Sequence, residues 1–160
     1  MDARLEKKAG ISAAGIRAFY GLPKQDIHSY SPLALAYIGD SIYDLTIRTM
    51  VVERGNTSAN RLHYQTSRLV RAHAQSAMMA YLMPELTDEE TAVYKRGRNA
   101  KSYTMAKNAT VADYRRATGF EALMGWLYLT DQTERMLSLI KIGLSGYQRE
   151  MQEAKGPKKQ

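Results

Sequence analysis

Asp40 and Glu121 are two acids whose surroundings set them apart from ordinary surface charges. Asp40 stands inside the apolar run Leu33-Ala-Leu-Ala-Tyr-Ile-Gly-Asp-Ser-Ile-Tyr-Asp44-Leu-Thr-Ile-Arg48. Glu121 is the only charge between Arg116 and Asp131, in Ala117-Thr-Gly-Phe-Glu-Ala-Leu-Met-Gly-Trp-Leu-Tyr-Leu129. On a helix, Asp40, Asp44 and Arg48 line one side, opposite an apolar face of Leu35, Ile38, Ile42, Leu45 and Thr49. Leu33, Ala36 and Ile47 flank Asp40 closely enough to put its carboxyl in a half-buried groove, where an ionised group needs a cation or donors. If the two helices cross at Asp40 and Glu121, with Gly39, Gly119 and Gly125 permitting close approach, they form a paired-carboxylate site suited to a divalent ion. The alternative for each acid is an isolated, partly exposed helix residue.

A second chemical feature lies between these helices. From Lys95 to Arg116 the chain carries Lys95, Arg96, Arg98, Lys101, Lys107, Arg115 and Arg116 against the single anion Asp113, enough to account for nearly all of the net charge of +7. Gly97, Asn99, Ser102, Thr104, Asn108 and Thr110 add flexible backbone and small polar donors, the mixture expected of a loop that grips phosphates. A weaker basic stripe, Arg61, Arg68 and Arg71, reads more readily as a solvated helix face than as a phosphate contact. His28, His63 and His73 do not form a ligand triplet, and the phosphate-loop, zinc-protease and serine-hydrolase signatures are absent.

The elements that position these residues read as helices throughout. Ser31-Pro32 opens a first long helix to about Val52, stopped by Arg54-Gly55-Asn56. Thr57 or Ser58 caps a second from Ala59 to about Met83, bounded by Pro84. Thr87 and Glu90 form a capping box that starts a helix to about Arg96. The helix of Glu121 follows, and Thr130-Asp131 breaks the chain and recaps a last helix from Thr133 to about Tyr147. No alternating strand pattern survives, so the class is all-α. With 160 residues and 44% hydrophobic content the chain supports one core. Residues 1–22 read as a loose or short-helical arm, 23–148 as the folded domain, and 149–160 as a disordered basic tail. Cysteine is absent, so any metal is held by oxygen, and no leader or membrane-length apolar run is visible. These features fit a cytoplasmic protein with a polyanionic partner.

Three segments together resemble the ribonuclease III catalytic domain, and more closely its mini-ribonuclease III subfamily: Leu35-Ala-Tyr-Ile-Gly-Asp-Ser-Ile-Tyr43, Lys95-Arg-Gly-Arg-Asn-Ala-Lys101 and Tyr114 to Leu129. The likeness covers about 33–147. It implies a dimerising helical endonuclease fold and a Mg²⁺-dependent endoribonuclease that cuts double-stranded RNA. By this resemblance Asp40 and Glu121 are the catalytic and metal-holding carboxylates. RNA contacts fall to Lys95, Arg96, Arg98, Asn99, Lys101, Lys107 and Asn108. Tyr37 matches the aromatic at the family's homodimer interface, with a plain core aromatic as its alternative. Further acids of the larger enzymes are replaced by Leu33, Ala36 and Thr118, and the separate RNA-binding domain is missing, so affinity must come from the catalytic domain's own cations. The implied substrate is the paired ends of 23S ribosomal RNA precursor, with RNA shape or a large-subunit ribosomal protein giving selectivity. The rival reading is a non-catalytic helical RNA- or ribosome-binding protein.

Overall fold

The computed structural model describes residues 10–101 and 110–156. Among them are seven α-helices, two short 3-10 turns and no strand, as the sequence pattern implies. The helices are α1 (Ala13–Tyr20), α2 (Pro32–Glu53), α3 (Ala59–Val70), α4 (Ala72–Leu82), α5 (Asp88–Asn99), α6 (Val111–Leu129) and α7 (Thr133–Ala154). The turns are Ile27–Ser29 and Met83–Glu85.

α6 is the centre of the domain. Every residue from Ala122 to Tyr128 is buried, so this helix has no solvent-facing stripe along its second half and must be surrounded. α2, α5 and α4 pack against it, and α2 makes the most extensive contact. Inside that packing Tyr43 of α2 meets Phe120 of α6 edge to face, with ring centroids 4.9 Å apart.

The start of α2 follows its local signals. Ser31 Oγ accepts from the backbone N–H of Ala34 at 3.1 Å and Pro32 takes the first turn. The buried face differs from the one that periodicity suggests. It comprises Leu35, Ala36, Gly39, Tyr43, Ile47 and Val51, whereas Ile38 and Ile42 are half-buried, Leu45 is 44% exposed and Thr49 is exposed. The small residues decide this rotation, because Ala36 and Gly39 let α2 approach the backbone of α6. Asp40 therefore borders the buried face, beside Ala36, Tyr43 and Ile47, and does not stand opposite it.

The single helix expected from Ala59 to Met83 is two helices. Arg71 is extended (φ −67°, ψ 156°) and separates α3 from α4. Side chains take over the carbonyls that a continuous helix would use: Tyr43 Oη donates to the Leu69 carbonyl at 2.7 Å, and Gln75 Nε2 donates to that of Val70 at 2.9 Å. Ser58, not Thr57, caps α3.

At α5 the capping box is present, and Glu90 also accepts from Arg135 at 3.0 and 2.9 Å, while Arg135 bonds the carbonyl of Glu85 at 2.7 Å. Asp131 does not cap α7. At φ +58° it turns the chain, and its carboxylate accepts from the Ala14 N–H and from Arg17 at 2.9 Å, tying α1 to the α6–α7 corner. Helix α7 continues through Ala154, past the expected end at Tyr147. No helix among the described residues is long and apolar enough to cross a membrane.

Candidate active site

The crossing of α2 and α6 brings Asp40 and Glu121 together, and two glycines set its closeness. A Cβ on Gly39 would lie 1.7 Å from the carbonyl oxygen of Glu121, and one on Gly125 would lie 1.9 Å from that of Leu35. The helices thus touch backbone to backbone on both sides of the acidic pair. Gly119 serves a different contact, its surface receiving the ring of Tyr94 from α5.

Glu121 is half-buried and Asp40 is open to solvent. Burial pushes the Glu121 carboxyl up to about 8, with the nearby Asp40 carboxylate adding to the rise and a hydrogen bond from the Gln75 side chain opposing it. Asp40 is raised by partial burial and then by Asp44. Among the described residues no basic side chain pairs with either acid. Two carboxyls are thus held close in a partly desolvated groove, with no ion pair to either among the described residues.

That donor set fits an oxygen-loving divalent cation that keeps several waters. Asp44 is occupied by Arg48 Nε at 2.7 Å, and no cluster of three or more His, Cys, Asp or Glu side chains suited to a metal exists among the described residues. The positions where larger relatives were expected to carry acids give no substitute. Leu33 is 40% exposed, Ala36 is buried, and Thr118 Oγ1 donates to the Tyr114 carbonyl of its own helix.

The basic segment begins at the end of α5. Lys95, Arg96, Asn99 and Lys101 are exposed, and Arg98 lies over the ring of Tyr94 at 5.7 Å while its Nε donates to Asn99 Oδ1 at 3.2 Å. Lys107 and Asn108 lie outside the described residues. At the far end of the basic segment, Asp113 holds the start of α6 to α4. Its carboxyl lies below the usual range, chiefly through a hydrogen bond from Ser76, with His73 Nδ1 3.3 Å away. Tyr37 is 80% exposed, which overturns the core-aromatic alternative for this residue. Sequence reasoning passed over Gln75. Its only signal is one amide in the apolar run of α4.

An all-helical domain with two acids at the crossing of its central helices and exposed cations at the end of α5 is the arrangement expected of a ribonuclease III-type nuclease, and residues 33–132 match the ribonuclease III domain. The chain belongs to the mini-ribonuclease III branch of the ribonuclease III family and is an endoribonuclease. It is 45% identical over 130 residues to mini-ribonuclease 3 of Clostridium tetani, covering 81% of this chain and 86% of that one. It is 53% identical over 118 residues to the Enterococcus faecalis protein of the same name, covering 72% and 89%. A crystal structure of a protein from Fusobacterium nucleatum superposes with a TM-score of 0.68 at 32% identity, over 76% of this chain and 98% of the other. Family membership decides against the non-catalytic alternative.

Proposed function

We propose that this endoribonuclease cuts double-stranded RNA with Mg²⁺ held between Asp40 and Glu121. The observation that carries the reading is the pair itself: two carboxyls at a backbone-tight helix crossing, one of them raised to about 8, with no cation beside them among the described residues. When bound, a divalent ion neutralises phosphate charge and makes water more acidic. Asp40 would offer its carboxylate from the solvent side, where a phosphodiester can reach, and Glu121 would hold the ion from the buried side. Lys95, Arg96, Arg98, Asn99 and Lys101, with Lys107 and Asn108, hold flanking phosphates.

Tyr37, exposed on the same helix as Asp40, supports a two-fold homodimer in which each protomer cuts one strand. We assign the substrate as the paired ends of 23S ribosomal RNA precursor in the cytoplasm, with a large-subunit ribosomal protein as a candidate aid to selection. Family resemblance supports that assignment. Purified protein should cleave duplex RNA with Mg²⁺ and stop in chelator, and should sediment as a dimer at micromolar concentration. Loss of the gene should leave 23S termini unprocessed. A monomer with full activity would remove the dimer, and mature 23S ends in the deletion strain would remove the substrate.

A further inference from the structure

Gln75 is 1% exposed, one of the few polar side chains in the core. Its backbone N–H bonds the Arg71 carbonyl at 3.2 Å, and its Nε2 donates to the Val70 carbonyl at 2.9 Å, across the break between α3 and α4. The same side chain hydrogen-bonds the Glu121 carboxyl. The side-chain N–H₂ has two hydrogens, and these two acceptors use both of them. Oε1 is buried and finds no partner among the described residues. An aliphatic side chain of similar volume would fill the site without that unsatisfied oxygen. What the amide does that a leucine would not do is donate to both the Val70 carbonyl and the Glu121 carboxyl, tying the α3–α4 break to the buried side of Glu121.

We infer that Gln75 is a positioning residue that fixes the Glu121 carboxylate in the orientation facing Asp40. This rests on the reading of Asp40 and Glu121 as the metal-holding pair. The α3–α4 break is part of the device. Extending Arg71 frees the Val70 carbonyl, and this carbonyl clamps the far side of the amide so that its second hydrogen is aimed at Glu121. Groups that hold metal-ligating carboxylates by hydrogen bonds typically change metal affinity by about 10- to 100-fold when removed.

The test uses the full chain without RNA, with Mn²⁺ binding measured by calorimetry or electron spin resonance. Folding midpoint, duplex binding, kcat and KM are measured alongside. Gln75→Met and Gln75→Leu should each weaken Mn²⁺ binding about tenfold or more and lower kcat at limiting metal, with KM for duplex RNA unchanged and the chain still folded at the assay temperature, its midpoint lowered by loss of the bond to Val70. Unchanged Mn²⁺ affinity in a folded variant would overturn the inference, as would a loss that only parallels unfolding. A measurement on the unaltered chain keeps the question open to refutation if both variants misfold. The Gln75 side-chain amide resonances should shift with Mg²⁺ at the concentration that saturates the site, and a fixed resonance would overturn the role. Glu121→Gln is the companion. If it binds Mn²⁺ as the wild type does, the carboxylate pair fails and the inference with it; if it loses Mn²⁺ while Gln75→Met keeps it, only the role of Gln75 fails.

Discussion

Replacing Glu121 with glutamine should stabilise the metal-free protein at alkaline pH. Burial, reinforced by Asp40, carries the Glu121 carboxyl from an ordinary 4.5 to about 8. Between those values the folded chain keeps a proton that the unfolded chain has released. Stability therefore falls as pH rises through this window and levels off above about 8. At roughly 1.36 kcal/mol for each of about 3.5 decades, the ceiling on that fall is about 5 kcal/mol. Water reaching the open side of the groove at Asp40 lowers it, and about 2–4 kcal/mol is the expected difference. Glutamine does not titrate and lacks the fall. Urea unfolding in chelator should give the two proteins similar stability near about pH 5, with the variant ahead by that amount near about pH 9. Mg²⁺ at the alkaline end should stabilise the wild type and leave the variant unmoved. Parallel pH curves would refute the buried, coupled carboxyl.

Gly39→Ala should cost more than about 3 kcal/mol or prevent folding, because its methyl would meet rigid backbone, the Glu121 carbonyl and the Gly125 nitrogen; a thermal midpoint near that of the wild type would show that the crossing is looser than described. Changing Arg96, Arg98 and Lys101 together to alanine should leave the fold intact and flatten the salt dependence of duplex binding by roughly one in the log–log slope per lost phosphate contact. An unchanged slope would shift attention to Arg61, Arg68 and Arg71. Glu90→Gln should cost about 2–4 kcal/mol by weakening both the capping box and the bond to Arg135. Arg135 holds the Glu90 carboxyl below its usual range, so this contribution is present above about pH 4.5 and fades in acid, and denaturation curves that keep the full difference at about pH 3 would contradict it.

The helices and their ends were largely readable because their signals are local: Ser31-Pro32, the Thr87–Glu90 box and Gly55 act within a turn of where they sit. The meeting of Asp40 and Glu121 at a helix crossing was readable too, since a lone acid in an apolar run is anomalous whatever it packs against. The orientation of α2 was not. Hydropathy favours Ile38, Ile42 and Leu45, but backbone contact favours the side bearing Ala36 and Gly39, and only the position of α6 decides between them. The α3–α4 break was hidden because its cause is tertiary: Tyr43, from another helix, takes the carbonyl of Leu69. Gln75 was invisible for the same reason, its partners Val70 and Glu121 meeting only in the fold. The role expected of Asp131 failed because α1, distant in sequence, supplies better donors than the start of α7.

Cleavage of a defined RNA duplex by Asp40→Asn, at saturating Mg²⁺ and with binding followed on the same sample, tests the central claim most directly. The substitution keeps the shape of α2 and removes one carboxylate from the pair. Cleavage should fall by at least about a hundredfold while duplex binding stays within about twofold of the wild type. Cleavage at the wild-type rate would contradict the two-carboxylate site.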